Sequence, residues 1–475
     1  MPYNIRIVST YPPRRCGLGT FSRDLATALE NLTAEVGNIR VAAIDHNNGP
    51  YGIPVDLTID QYNTQSWIDT TKHIITRASE SSNKTVVIFQ HEYGLDPDAN
   101  GNDGRGTNFV DMVKAFQKQG LLTLVYLHTV LDEPDPYQKQ TLLDLAKYSD
   151  GLIVTTESAI NILESETYGI EHARLKHIDH GIRMQHPSQF DRLAIKKDFG
   201  IEDHLLITTL GLLSPDKGVQ YSIRAYGEFL SESCTEAQRR KIIYMIAGQP
   251  HPEFVKCDSG RPYREYLALL ENSLDSANVR WSRTKDLHTV DCEENDIIFL
   301  DHFLDENTLM RFYSASNIIM LPYLNMQQIS SGILADAVGA GRVAVTTKFR
   351  YAMELIHSNK ICPPGLIIGK FARGILVDPG EPSIEQIASA IDYLVFNKEK
   401  RLMMERQAHQ RGYQMRWDNS AWALLQYIDF VRDQKEIVTG RGITFTREKD
   451  SPLQLPPKRK IPAWITLEHG NIENK

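Results

Sequence analysis

Gln328 and Asp336 stand eight positions apart in the stretch Gln328-Ile-Ser-Ser-Gly-Ile-Leu-Ala-Asp336-Ala-Val-Gly-Ala-Gly341. Ser330, Ser331 and Gly332 form a polar loop that opens a helix of small residues. The start of a helix offers free backbone N–H groups and the positive end of its dipole. That combination suits a phosphate or diphosphate. Gln328 sits at the mouth of the loop and Asp336 about two turns into the helix, so both can reach one ligand. The segment lies between two apolar strand-like runs, Asn317–Tyr323 and Arg342–Thr347.

Further residues with chemistry cluster where other strands should end. After Ile5–Ser9 comes Tyr11-Pro-Pro-Arg14-Arg15-Cys-Gly17-Leu-Gly19. Its glycines let backbone approach a ligand, and its arginines can grip phosphate in a fork. It also reads as a plain turn; it is not a dinucleotide fingerprint. Gln90-His91-Glu92 ends a third run, either facing an acceptor or pairing to hold a loop. His128 ends the fourth. His180 sits in Ile178-Asp-His-Gly-Ile-Arg183, lining a cleft or forming a turn. Lys217, in Leu210-Gly-Leu-Leu-Ser-Pro-Asp-Lys-Gly218, precedes a helix. A lysine there is poorly placed for helix stability and well placed to neutralise bound phosphate.

The elements that must carry these residues alternate. Strand-like runs at Ile5–Ser9, Ile39–Ile44, Thr85–Gln90, Leu122–Leu127 and Leu152–Thr155 are separated by amphipathic segments such as Phe21–Leu29 and Asp111–Gln119. The alternation restarts at Leu205–Gly211 and continues through Ile242–Ala247, Ile297–Leu300, Ile318–Leu321, Val343–Thr346 and Gly374–Asp378. Apolar strands alternating with helices predict α/β architecture: two tandem, doubly wound, Rossmann-like parallel sheets. The expected domains are 1–190, on the acceptor side, and 191–400, on the donor side, joined within His186–Asp203. Helices over 401–434 should pack back on the body. Residues 435–475 form a polar, Pro-containing tail, either loosely ordered or docking on the body, a partner or a further domain. Ligands of such sheets bind beyond the strands' carboxyl ends.

A chain of 475 residues, 41% hydrophobic and 24% charged, is long enough for two cores. A net charge of −8 without a basic stripe argues against nucleic acid as partner. No run of 18 apolar residues predicts a membrane span, and no apolar leader precedes the first strand. Five scattered cysteines, an odd number, suit free thiols in a reducing cytoplasm.

Taken in order, these motifs over about residues 3–430 resemble the retaining glycosyltransferases of family 4, which have the GT-B fold. The resemblance is carried by the Gly loop after the first strand, His128, the "GLLSPDKG" segment and the "QQISSGILADAVGAG" loop–helix. It implies transfer of a sugar from a nucleotide-diphosphate donor to a carbohydrate or small hydroxyl acceptor, with retention. No metal or resident cofactor is implied; the nucleotide sugar is a co-substrate. The family's Glu-x7-Glu pattern falls on Gln328 and Asp336, so both positions depart from it. The arginine that partners the lysine in family 4 is Leu212 here, which leaves Lys217, with Arg14 or Arg15 to compensate. Ser330, Ser331 and Gly332 would bind phosphate through backbone groups. His128 would hold the donor sugar, while His91 and Glu92 would face the acceptor. Two other readings remain: a glycoside phosphorylase using inorganic phosphate, and a non-catalytic sugar-binding subunit.

Overall fold

In a computed structural model, the described residues are 2–45, 49–97, 105–183, 191–250, 254–255, 257–287, 291–357, 360–362, 365–367 and 369–438. Two seven-stranded sheets follow each other in the chain, and every strand pair within them is parallel.

The first sheet comprises β1 (Tyr3–Ser9), β2 (Val36–Asp45), β3 (Val55–Asp60), β4 (Thr85–His91), β5 (Leu122–Leu127), β6 (Gly151–Val154) and β7 (Leu175–His177). Their spatial order is β3-β2-β1-β4-β5-β6-β7. The second has β8 (Leu205–Leu210), β9 (Ile242–Ala247), β10 (Trp281–Thr284), β11 (Ile297–Leu300), β12 (Ile318–Leu321), β13 (Val343–Thr347) and, after a small antiparallel pair β14 (Lys360–Cys362) and β15 (Gly365–Ile367), β16 (Gly374–Val377). Its order is β10-β11-β9-β8-β12-β13-β16. Both sheets are doubly wound, as expected. The strand order reverses between β1 and β4 in one and between β8 and β12 in the other. Those reversals are where open α/β sheets leave a crevice for ligands.

Central strands are buried on both faces; β9 and β12 have no exposed residue. The strands missing from the sequence reading are β3, β7, β10 and the β14–β15 pair. β3, β7 and β10 lie at sheet edges, where one side lacks a partner and apolar content is lower. β3 alternates exposed and covered residues, and β10 has none fully buried.

The chain from Met1 to Val431 forms one compact unit. Its final helix, starting at Trp417, returns to the first sheet: Trp417, Ala421, Leu424 and Ile428 share a core with Ile5, Ile7, Phe21 and Leu25. Most of the predicted tail, from residue 439, lies outside the described residues, as do 184–190 of the predicted linker. Among the described residues no helix is long and apolar enough to cross a membrane.

Candidate active site between the two sheets

On the second sheet, Ser331 caps the helix Gly332–Gly339; its Oγ accepts from the Leu334 amide at 3.3 Å. The small residues of this helix have a packing reason. Gly339 meets Gly412 of the helix Lys398–Gln414 so closely that a Cβ on Gly412 would stand 2.6 Å from the Gly339 Cα. Side chains there would push the helix, and the loop it anchors, out of place.

Gln328 does not project freely from the loop. Its Nε2 donates to the Ser330 carbonyl at 2.6 Å, and its own carbonyl accepts from the Tyr351 amide at 3.1 Å. In this state it braces the loop from within. Ile329 is fully buried in the core of the first lobe, and its carbonyl accepts from Thr155 Oγ1 at 2.9 Å. Burying an isoleucine is worth about 1.5–3 kcal/mol, so the loop is held by the opposite lobe as well as by its own.

Asp336 keeps part of its surface in solvent, yet burial pushes its carboxyl up to about 7; Arg183 pulls the other way and Asp24 adds to the rise. Arg183 itself pairs with Asp24 and Glu306, and Arg23 reaches Glu306 at 2.9 Å. Asp336 thus borders an ionic cluster contributed by both lobes.

Lys217 lies in a tight turn after β8. Its Nζ stands 4.0 Å above the Tyr323 ring and 3.7 Å from the Asp216 carboxylate. Tyr323 stacks on Phe349 at 5.4 Å. Gly218 takes φ 63°, and a Cβ there would collide with the Pro322 carbonyl at 2.0 Å. This close approach, with the Leu324 amide donating to the Asp216 carbonyl at 2.8 Å, fixes the lysine turn against the segment leading into Gln328.

On the first sheet, His128 Nε2 donates to Gln90 Oε1 at 2.7 Å, and burial lowers its pKa to about 3, with His180 and His91 acting in the same direction. Phe21 stands edge-on to His128 at 4.9 Å and to His180 at 5.1 Å. His180 Nδ1 donates to the Gly181 carbonyl at 2.7 Å, which leaves Nε2 as an acceptor in the neutral ring; burial lowers this pKa as well, against the Gly181 bond and the Asp24 and Asp179 charges. That Nε2 lies 3.8 Å from where a Cβ on Gly332 would be. His180 therefore faces the start of the Ser330–Gly332 loop, within van der Waals reach of any side chain placed at Gly332.

Glu92 accepts from Thr129 Oγ1 at 2.8 Å and from the Tyr93 amide at 3.0 Å; burial raises its pKa despite both bonds. Gly17 has nothing within 4 Å of a built Cβ, whereas Gly19 is packed against Tyr11 and the Cys16 sulfur. Cys16 caps the helix Gly17–Glu30 through that sulfur. Arg15 crosses to the second lobe and lies 4.4 Å over the Phe303 ring.

Two expectations fail on geometry. His91 does not face the acceptor side: it is 2% exposed and packs on Tyr93 and Phe109 in the first lobe's core. Successive strand residues point to opposite faces, so Gln90 and not His91 shares a face with His128. Arg14 is engaged with Gln61 Oε1 at 2.8 Å and the Ile44 carbonyl at 3.3 Å, so it is not free to replace a missing phosphate arginine. The residues brought together are His128, His180 and the loop at Gly332, while Lys217 packs on Tyr323 in the segment leading into Gln328. Phe21, Tyr323, Thr155 and Glu354 went unnoticed, and Gln90 was noted only as part of the Gln90–Glu92 strand end. The period of two along β4 could have singled out Gln90; no local signal marks the others.

No protein-family model matches this sequence, and no characterised protein matches it by sequence. Solved structures do match. HepE from Anabaena in complex with UDP superposes with a TM-score of 0.62 at 14% identity, covering 90% of this chain and 100% of that one. An α,α-trehalose-phosphate synthase (UDP-forming) from Burkholderia xenovorans, in complex with glucose-6-phosphate, gives 0.59 at 13%, over 90% and 100%. An E. coli structure described as trehalose-6-phosphate bound with UDP-2-fluoro glucose gives 0.59 at 12%, over 90% and 98%. At such identities the likeness establishes the fold, which is GT-B.

Proposed function

We propose that this chain is a retaining glycosyltransferase, of family 4 type, that moves a sugar from a nucleoside-diphosphate donor to an acceptor hydroxyl. One observation carries the reading: His180 of the first lobe faces the helix start at Gly332 of the second, its Nε2 3.8 Å from where a Cβ on Gly332 would be. The end of the first sheet's edge strand β7 is thus brought opposite the loop after β12, beside the second sheet's reversal. The UDP and UDP-sugar complexes of the similar structures support a diphosphate donor for this chain too. In this reading 1–190 is the acceptor-side domain, 191–400 the donor-side domain, and 401–434 the helices that return to the body. Cys16, Cys234 and Cys292 are free, in keeping with a cytoplasmic enzyme.

The donor's diphosphate would lie on the amides around Ser331 and Gly332, with Lys217 leaving the Tyr323 ring to meet it. Positive charge from lysine and helix dipole grows in value as the leaving phosphate gains charge. That supply needs no metal. The anomeric carbon–phosphate oxygen bond breaks, the acceptor oxygen bonds to the same face of that carbon, and its proton passes to the leaving phosphate. His128, neutral, would hold the donor sugar. Glu92, already fixed by Thr129, would orient the acceptor. The junction of the lobes would exclude water and limit hydrolysis.

The test is calorimetry and thermal shift against UDP, GDP, ADP, their sugar conjugates, and inorganic phosphate. Stabilisation by one diphosphate supports the reading. A response to phosphate with a disaccharide, and to no nucleotide, would replace it with a phosphorylase.

A further inference from the structure

Gln90 has no exposed surface, and its Nε2 has no hydrogen-bond partner among the described residues. It lies at the carboxyl end of β4, beside β1, where the strand order of the first sheet reverses. A buried carboxamide with an unmet donor is uncommon, since buried polar groups are nearly always paired. Its other end is committed: Oε1 accepts from His128 Nε2 at 2.7 Å. With the carboxamide turned so that its oxygen faces the ring, that oxygen can only accept, and the proton of a neutral His128 sits on Nε2. The ring is held elsewhere too. Phe21 stands edge-on at 4.9 Å, and the backbone amide of His128 donates to the His91 carbonyl at 3.2 Å.

We infer that Gln90 is a positioning residue that fixes His128 in its Nε2–H tautomer, so that Nδ1 is presented as an acceptor to a sugar hydroxyl. Gln90 acts on the ligand only through His128. A glutamine suits this task better than a carboxylate. Glutamate would favour the imidazolium, and a charged ring cannot accept. The inference rests on the transferase reading for the owner of the hydroxyl, and on this chain alone for the tautomer.

The experiment is nitrogen NMR of the protein labelled at histidine, ligand-free, with His128→Gln to assign the ring. Wild type should show a protonated Nε2 and a bare Nδ1. Gln90→Leu should lose that preference and populate both tautomers. Gln90→Glu should keep the proton on Nε2 and raise the pH at which the ring charges, with His91 and His180 the other titratable groups acting on it. If Gln90→Leu does not fold, Gln90→Met removes the same acceptor with a more adaptable chain. A proton on Nδ1 in wild type, or a ring indifferent to loss of the carboxamide, overturns the inference. Once a donor is known, Gln90→Leu should lower kcat at least tenfold with less change in donor KM, and equal effects on both would overturn the positioning role. The two readings fail separately. A Gln90-dependent tautomer in a chain that binds no nucleoside diphosphate sinks only the transferase; diphosphate binding with a proton on Nδ1 sinks only the tautomer lock.

Discussion

Glu354 Oε1, in the second lobe, accepts a hydrogen bond from the backbone amide of Ser158 in the first at 2.8 Å. Its Oε2 accepts from Glu157 at 2.9 Å. These are the first amides of the helix Glu157–Glu164, which no partner within the helix can satisfy. Thr156 caps the next one, at Ala159, so the helix start is completed by a carboxylate from across the cleft. Arg350, four residues before Glu354, pairs with Asp132 of the first lobe. Losing a cap costs about 0.5–2 kcal/mol. Glu354→Ala should therefore lower the melting temperature and loosen the junction, seen as a larger radius of gyration in solution scattering. An unchanged melt and radius would show that this contact holds nothing.

Lys217→Met tests the phosphate role. A hydrogen bond to a charged group contributes about 1.5–3 kcal/mol. Calorimetry should show nucleoside-diphosphate affinity falling by one to two orders of magnitude, with the fold intact. Equal affinity in the variant would leave the lysine a packing partner of Tyr323.

Gly412→Ala should destabilise without touching any ligand. Its Cβ would stand 2.6 Å from the Gly339 Cα, and backbone cannot rotate away as a side chain can. Overpacking of this kind costs about 1–3 kcal/mol. A denaturant midpoint equal to wild type would mean that the two helices part easily.

Gly17→Ala makes the opposite demand. A Cβ there meets nothing within 4 Å, so stability should hold. If the backbone of this loop approaches the ligand, the added methyl should still weaken diphosphate or sugar binding. Loss of both stability and binding, or of neither, would remove Gly17 from the site.

Asp336 links stability to pH. Burial raises its carboxyl to about 7 in the folded chain, above the ordinary 3.8. Between those values the folded state binds the extra proton. The contribution is fully present below about pH 4 and is lost as pH rises toward 7, with at most about 1.4 kcal/mol per pH unit at stake. Asp336→Asn should abolish that decline. Denaturation curves for the two proteins that stay parallel from pH 4 to 7 would contradict the raised value.

Most central strands were legible because burial on both faces demands continuous apolar runs: β4, β5, β9, β11 and β12 announce themselves. The edges β3, β7 and β10 were not, because an edge strand is half in water and composes like a loop. The positions of Lys217, His128 and the Ser330–Gly332 loop just after strands were readable from the sequence. His91 was misassigned because its face depends on one residue of strand register.

The order of most strands and helices, the polar loop opening the helix at Gly332 and the absence of a membrane-length apolar run are properties of local chemistry, and the sequence of this protein determined them. Which side chains meet was decided only by the tertiary structure. His180 beside Gly332, Ile329 in the core of the other lobe, Gln90 on His128 and Glu354 on Ser158 join residues at least 38 positions apart. No local pattern encodes such pairs. They arise when two sheets and a returning helix bury their faces together, and each contact forms only because all the others hold the lobes in place.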